Sequence, residues 1–453
     1  MTTPPAPTSR WLPANDPLRQ RLHDEAHARP PAHIQLPALV LYIAVRHEGV
    51  DRAAQWQHLC RLPGHAKLPV QALDGQFLRL RLPGGTLKWE RHTEFTRYSL
   101  VQSLPEGLGL DAEDPPLQQA VIVDLDWLRS IPGQVLVAVE LVMLHGQITH
   151  EGWLSAASHW FNGAPVAASR MGREAHSAVM TDFVLRDDGF ERMLVVAPAG
   201  TTETRAGRIS QRLLEMETYR LMALLGLPAA KALQPEIAEA ELQLSALTAR
   251  FEAREASDQS LLDELVQLAA RLERATAAAA FRFDATRAYD TLMTQRLAEL
   301  REIYLPGQQT LSEFLQRRQA PAVATVAATA QRLASLASRV ERASGLLRTR
   351  VDIAAEAQNQ QLLVRLAQGQ ALQLRLQATV EGLSIAAITY YVVSLLYYGA
   401  KAVKAAGLPI EPDIAVGFLL PLVALGVWRT TRRVHQRLAL RGDNAALPGS
   451  SQD

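Results

Sequence analysis

The densest chemistry in this chain lies in RLHDEAHARPP, residues 21–31. His23 and His27 stand four apart, a spacing that brings both imidazoles to one face of a helix, with Asp24 and Glu25 between them. Zinc hydrolases use such a pair, but they need the glutamate directly after the first histidine, where it acts on metal-bound water. Asp24 holds that place here, and Pro30 and Pro31 leave little helix beyond His27. Two readings of His23, Glu25 and His27 stay open. One is a structural element held by hydrogen bonds and an Arg29 ion pair; the other is a regulatory metal or ligand site.

A second constellation is KWERHTEF, residues 88–95. Read as one strand, it puts Glu90, His92 and Glu94 on one face and Trp89, Arg91, Thr93 and Phe95 on the other. Carboxylate, imidazole and carboxylate on one face suit a divalent cation, the one cofactor these groups would hold. They equally suit an edge paired with arginines. Arg205, Arg208 and Arg212 recur at helical spacing with Glu215 close behind, as an ion-paired polar face or an anion site. SHWFNG, residues 158–163, reads as a buried turn or a cofactor contact. There is no Gly-rich phosphate loop, Gly-x-Ser-x-Gly elbow or DNA-binding motif, so neither an enzyme nor a nucleic-acid partner is expected. The charge balance agrees, since 47 Lys and Arg against 46 Asp and Glu give no field that draws nucleic acid. A single cysteine, Cys60, excludes a disulfide framework and a thiolate metal cluster, and fits a reducing compartment.

The elements that must position these groups divide the chain. Residues 1–20 are proline-rich without an apolar core, a disordered lead-in rather than a signal peptide. Residues 21–228 form a mixed α/β domain expected in the cytosol. Its strand-like runs are 36–45, 75–82, 86–95, 119–128, 134–144, 178–186 and 192–198, with helices near 50–60 and 202–225. Residues 229–381 form a long helical stalk. Val326, Leu333, Val340, Leu347 and Ala354 recur every seven residues, with Leu336 and Ala343 as a second stripe, so the stalk needs partner helices.

Two uncharged apolar runs follow, Gly382–Ala400 and Ile414–Trp428, and they predict transmembrane helices over about 382–400 and 412–429. Arg429 closes the second span and Arg432, Arg433, Arg437 and Arg441 follow in a basic tail, 430–453, whereas the only basic residues of the connecting loop are Lys401 and Lys404. The positive-inside rule then puts both termini in the cytoplasm. The fold class expected is an α+β membrane protein: an N-terminal mixed α/β domain, a long helical stalk and a C-terminal two-helix hairpin in the lipid bilayer. Ser384 and Thr389 in the first span, below Gln361 and Gln368 of an amide-rich stretch, either line a polar pore or bond back to their own helix.

HDEAHARP (23–30), KWERHTEF (88–95), RLLEMETYR (212–220), EFLQRRQAP (313–321) and EGLSIAAITYYVVSLLYY (381–398) resemble a family of bacterial proteins known only as predicted membrane-anchored proteins of unknown function. The resemblance implies attachment to the bacterial inner membrane and implies no activity. The order of elements also resembles the CorA family of magnesium channels, funnel-shaped pentamers whose first span lines the pore. Their Tyr-Gly-Met-Asn signature meets Tyr398-Gly399-Ala400-Lys401 here. Met-Asn is absent, and Lys401 at the loop mouth opposes an incoming divalent ion, while Glu411 and Asp413 in the same loop offset it. The leading expectation is therefore a homo-oligomeric, CorA-like ion channel or transporter of unspecified ion, a pentamer if the likeness holds. The alternative is a membrane-anchored structural or sensing protein whose cytosolic domain binds a partner or small ligand. An enzyme would require one pocket joining His23, His27, Glu90 and His92.

Overall fold

The run ALVLYIAVR (Ala38–Arg46, β1) is apolar at all but its last position, and such a strand must be covered on both faces. A computed structural model of the chain, which describes residues 15–27, 30–147, 149–406 and 412–443, puts β1 inside a nine-stranded sheet. Before it lies α1 (Arg19–His27). After it come α2 (Arg52–Cys60), β2 (Phe77–Leu82), β3 (Gly85–Arg91), β4 (Phe95–Ser103), α3 (Leu125–Arg129), β5 (Gln134–His145) and α4 (His150–Trp160). Then follow β6 (Ala167–Met171), β7 (Ser177–Thr181), β8 (Glu191–Ala197), α5 (Glu203–Leu224), α6 (Gly226–Ala253) and α7 (Asp258–Leu300). The last elements are β9 (Ile303–Tyr304), α8 (Leu311–Arg318), α9 (Ala320–Ala405) and α10 (Pro412–Asp443).

The strand order is β2-β3-β4-β1-β5-β8-β7-β6-β9, with β5 and β8 parallel and every other neighbouring pair antiparallel. The two-residue period of a strand sorts its side chains. Val40, Tyr42 and Ala44 pack with Leu141, Met143 and Val195 against Leu213 and Met216 of α5 and Leu297 of α7. Leu39, Leu41, Ile43 and Val45 point to the other face, where Trp153 and Trp160 of α4, Leu59 of α2 and Trp127 of α3 cover them. Each large apolar side chain sealed this way stabilises the fold by about 1.5–3 kcal/mol. The result is three layers, with helices on both faces of a mixed sheet.

α5 is fixed by its N-cap, where the Thr202 hydroxyl accepts from the Arg205 N–H, and by Gly207. A Cβ on Gly207 would fall 1.7 Å from the Ala32 carbonyl oxygen, so the strand-ward segment crosses the helix where only glycine fits.

Three expectations change. KWERHTEF is not one strand: β3 ends at Arg91 and β4 begins at Phe95, and the His92 N–H donates to the Phe95 carbonyl at 2.8 Å to close a tight hairpin. The run 119–128 is a turn followed by α3, because the Asp124 carboxylate accepts from the Asp126 N–H at 2.8 Å and starts a helix. The run from 178 stops at Thr181, whose hydroxyl accepts from the Phe183 N–H at 3.2 Å as Phe183 turns to φ +54°.

The domain border expected at 228 also moves. α6 and α7 pack through Ala230, Ala279 and Phe283, and α7 returns to the sheet through Met293, Leu297 and Leu300. Val326, Leu333, Leu336 and Val340 of α9 are buried as well. One compact unit therefore ends at Gly345 and a second begins at Leu346. The second unit holds the rest of α9 and α10. It contains two helices long and apolar enough to cross a membrane by length and composition. α9 runs on through Tyr398, Gly399 and Lys401 to Ala405, so these three are helical rather than loop residues. Alanine and lysine, which dominate 400–405, favour the extra turn. Asp413 lies in the first turn of α10. Glu411 lies outside the described residues.

Candidate functional site

His23 and the backbone of His27 do fall on one helix, α1, which ends at His27 ahead of the two prolines. The side chains of Glu25 and His27 lie outside the described residues, while the His23 side chain is exposed. Asp24 accepts a hydrogen bond from Gln20 at 2.8 Å. The expected face of Glu90, His92 and Glu94 does not form, since the hairpin turns between them. Glu90 is taken by Arg97 and Lys88, Glu94 pairs with Arg282, and the His92 ring stacks on Phe95 at 4.5 Å. Among the described residues no three His, Cys, Asp or Glu side chains are grouped to hold a metal ion. At Glu90 and Glu94, guanidinium and ammonium groups already occupy the carboxylates a cation would need.

Glu90 sits at the centre of a buried charge network. Lys88 lies 3.2 Å from it along β3, Arg97 donates to it from β4, and Arg97 also donates to Glu215 of α5 at 3.1 Å. Arg296 of α7 donates to the other Glu215 oxygen at 2.6 Å. Burial alone would raise the Glu90 carboxyl, but Arg97 and Lys88 outweigh it and hold it below the usual carboxylate range. Burial pushes the Lys88 ammonium down. Tyr42 completes the patch, its hydroxyl 2.6 Å from the Thr218 hydroxyl. These groups join the sheet to α5 and α7 and enclose a cavity of only about 30 Å³, too small for a ligand.

Two further networks brace the opposite half. Arg192 spans Asp114 at 2.5 Å and Glu140 at 2.8 Å. Asn162 of SHWFNG donates to Asp114 at 2.7 Å, and Trp160 donates to the Gly109 carbonyl at 3.1 Å, so that motif ends α4 and holds a loop. Arg220 donates to Glu217 at 2.8 Å and to Glu191 at 3.2 Å.

A large cavity lined by five arginines opens between the β6–β7 turn, α5 and the end of α7. Its volume is about 780 Å³. Arg173, Arg205, Arg208, Arg212 and Arg301 line it, with Glu299 as the only acidic lining residue among the described residues. The row at 205, 208 and 212 was visible in the sequence; Arg173 and Arg301 were not, because they arrive from distant segments. A signal did exist beside each, in backbone form. Gly172 adopts φ +85°, Glu174 +61° and Ala175 +52°, and across the cavity Arg301 adopts +52°. The Gly172 N–H donates to the Leu300 carbonyl at 2.8 Å, tying the two walls together. Non-glycine residues held in this region cost of order 1–3 kcal/mol each and gather at functional sites. A neighbouring cavity of about 260 Å³ is lined by His176, whose Nδ1 is buried without a hydrogen-bond partner among the described residues. Burial, then Arg205, lowers the pKa of this imidazole.

On α9 the hydroxyls of Ser384 and Thr389 donate to the Val380 and Ile385 carbonyls at 2.8 and 2.7 Å, within their own helix. Gln361 and Gln368 are exposed.

Fold and site together define an α+β protein with a three-layer mixed-sheet unit, an arginine-lined cavity and two long apolar helices. The chain belongs to a family described as protein of unknown function (DUF3422), whose model matches residues 14–438. No curated protein and no solved structure matches the chain.

Proposed function

We propose that this protein is a membrane-anchored sensing protein of the bacterial inner membrane, whose sheet-bearing unit binds a small ligand while α10 and the end of α9 serve as the anchor. The observation that carries the reading is the exposure of large apolar side chains on both helices. Leu383, Tyr390, Leu395, Phe418 and Leu422 are 66–79% exposed, and no charged residue falls in Gly382–Ala400 or Ile414–Trp428. In water such a surface is unfavourable by about 25 cal/mol per Å²; in hydrocarbon it is at home. Tyr390, Tyr391, Tyr397, Tyr398 and Trp428 suit interfacial anchoring. With two spans and the arginine-rich tail on the cytoplasmic side, the folded unit is cytoplasmic too.

A second reading, the homo-oligomeric CorA-like channel, is favoured by one feature. α9 passes without a break from the amide-rich stretch 358–370 into the uncharged run. The lysine at 401 and the missing Met-Asn weigh against it.

Cys60, the lone cysteine, is a native topology reporter. The protein should resist alkaline carbonate extraction from membranes, and Cys60 should react with an impermeant maleimide only after the cells are permeabilised. Release by carbonate would overturn the anchor. Selective ion flux through liposomes containing the purified protein would replace sensing by transport.

A further inference from the structure

We infer that the arginine-lined cavity is a binding site for a small phosphate-bearing anion carrying two or more negative charges. The inference deepens the ligand-binding half of the proposed function and is independent of its membrane half.

Arginine placement is the first argument. Positions 205, 208 and 212 lie at i, i+3 and i+7 on α5, so three guanidinium groups share one helix face. Like charges at these spacings cost a helix a few tenths of a kcal/mol per pair, roughly. Arg173 enters from the β6–β7 turn and Arg301 from the end of α7, converging on the same volume.

Compensation is the second. Arg97, Arg192, Arg220, Arg250, Arg296 and Arg332 each hold a carboxylate. Inside the cavity only Arg212 does, donating to Glu299 at 3.3 Å. Glu299 is itself shared with Arg296 at 2.8 Å and Gln295 at 3.2 Å. Arg173, Arg205, Arg208 and Arg301 have no carboxylate within ion-pair distance among the described residues. Four uncompensated guanidinium groups around a concave wall focus a positive potential that a bound anion would neutralise.

Shape and chemistry name the ligand. The planar guanidinium fork matches phosphate oxygens two at a time, and four such forks exceed what one carboxylate can accept. A volume of about 780 Å³ exceeds a lone inorganic ion and suits a small organic phosphate. Gly172 sits at φ +85°, a conformation that favours glycine, where the chain turns into this wall. A soluble phosphate ester and an acidic phospholipid headgroup present the same chemistry, so the test separates them.

The test uses the full-length protein in neutral detergent. Calorimetric titration with pyrophosphate, with ATP, with citrate and with vesicles containing phosphatidic acid reads each source. Saturable binding of pyrophosphate or ATP, weakened by added salt and stronger than that of citrate, is expected. Arg173 and Arg208 are exposed and make no side-chain hydrogen bond among the described residues, so Arg173→Gln/Arg208→Gln should fold and weaken binding by roughly tenfold or more. Arg287→Gln, on an exposed arginine elsewhere that lies 3.5 Å from Asp284, should leave it unchanged. Binding of phosphatidic acid vesicles alone, with the same response to the double variant, keeps the site and identifies the headgroup as its ligand. No saturable binding to any of the phosphate probes, citrate binding as tight as pyrophosphate, or binding indifferent to the double variant overturns the inference. Loss of carbonate-resistant membrane attachment would leave these outcomes untouched, so the two proposals fail separately.

Discussion

Glu90 and Arg97 face each other in register across β3 and β4, and their residues are only 1% and 3% exposed. The pair closes because Arg97 has two jobs. Its Nε serves Glu90 while a terminal nitrogen reaches Glu215 on α5 at 3.1 Å. Removing Arg97 leaves two buried carboxylates short of a partner. Arg97→Met should therefore destabilise the first unit by about 3–5 kcal/mol, measured by thermal or denaturant unfolding. Arg97→Lys should recover only part of this, since an ammonium cannot span both carboxylates as the fork does. Equal stability of Arg97→Met and wild type would show that the network contributes nothing.

A second prediction concerns pH. Glu191 and Glu217 share Arg220, and burial, then the Glu217 charge, pushes the Glu191 carboxyl up to about 9 from an ordinary 4.5. Between those values the folded chain holds a proton that the unfolded chain has released. Stability from this group is fully present below about 4.5 and is lost as pH rises through about 9. Glu191→Gln keeps the hydrogen-bonding shape and removes the titration. Its melting temperature at mildly alkaline pH should exceed that of wild type by about 2–4 °C, with the gap closing below the ordinary carboxylate range. A gap independent of pH would contradict the raised Glu191 pKa.

The histidine beside the cavity gives a third test. Burial, then Arg205, holds the His176 imidazole below its usual pKa. Arg205→Gln removes the smaller cause only. A proton-detected titration should find the His176 pKa moved upward but still under the ordinary value, and a downward move would be inconsistent with the geometry.

The apolar hairpin yields the fourth. Leu395 on α9 and Leu242 on α6 are exposed alike, at 72% and 73%. Leu395→Arg places a charge in the uncharged run, at a cost of about 2.5–3.5 kcal/mol if that run crosses a bilayer. It should shift protein from the membrane fraction to the soluble or aggregated fraction, while Leu242→Arg should not. Equal partitioning of both variants would argue against a bilayer around Leu395.

How much of this was legible in the sequence varied with the kind of signal. β1 and α5 were readable because their signals are local: an unbroken apolar run for one, a threonine cap for the other. The hairpin at His92–Glu94 was not, since its turn contains no Gly, Asn or Pro and the flanking residues alternate as one strand would. The segment around Val121–Trp127 looked like a strand by residue type, but a single Asp124 cap decided for helix. The cavity was half legible. Its α5 row shows in the spacing, whereas Arg173 and Arg301 are united with it only by tertiary folding, through the Gly172–Leu300 hydrogen bond. The shared face of Glu90, His92 and Glu94 was misread for a similar reason, because a sequence does not reveal that Arg97 and Arg282 will arrive at Glu90 and Glu94.

The two ends of the sheet carry a consequence for how this protein meets others. β9 is only two residues long, and β2 carries Arg79 and Arg81, with the Arg81 carbonyl accepting from His65 at 2.8 Å. A short strand at one border and arginines at the other are poor templates for an incoming chain to extend the hydrogen-bonded ladder. Recruitment by strand addition, and the fibrous self-association that follows from it, is thereby discouraged.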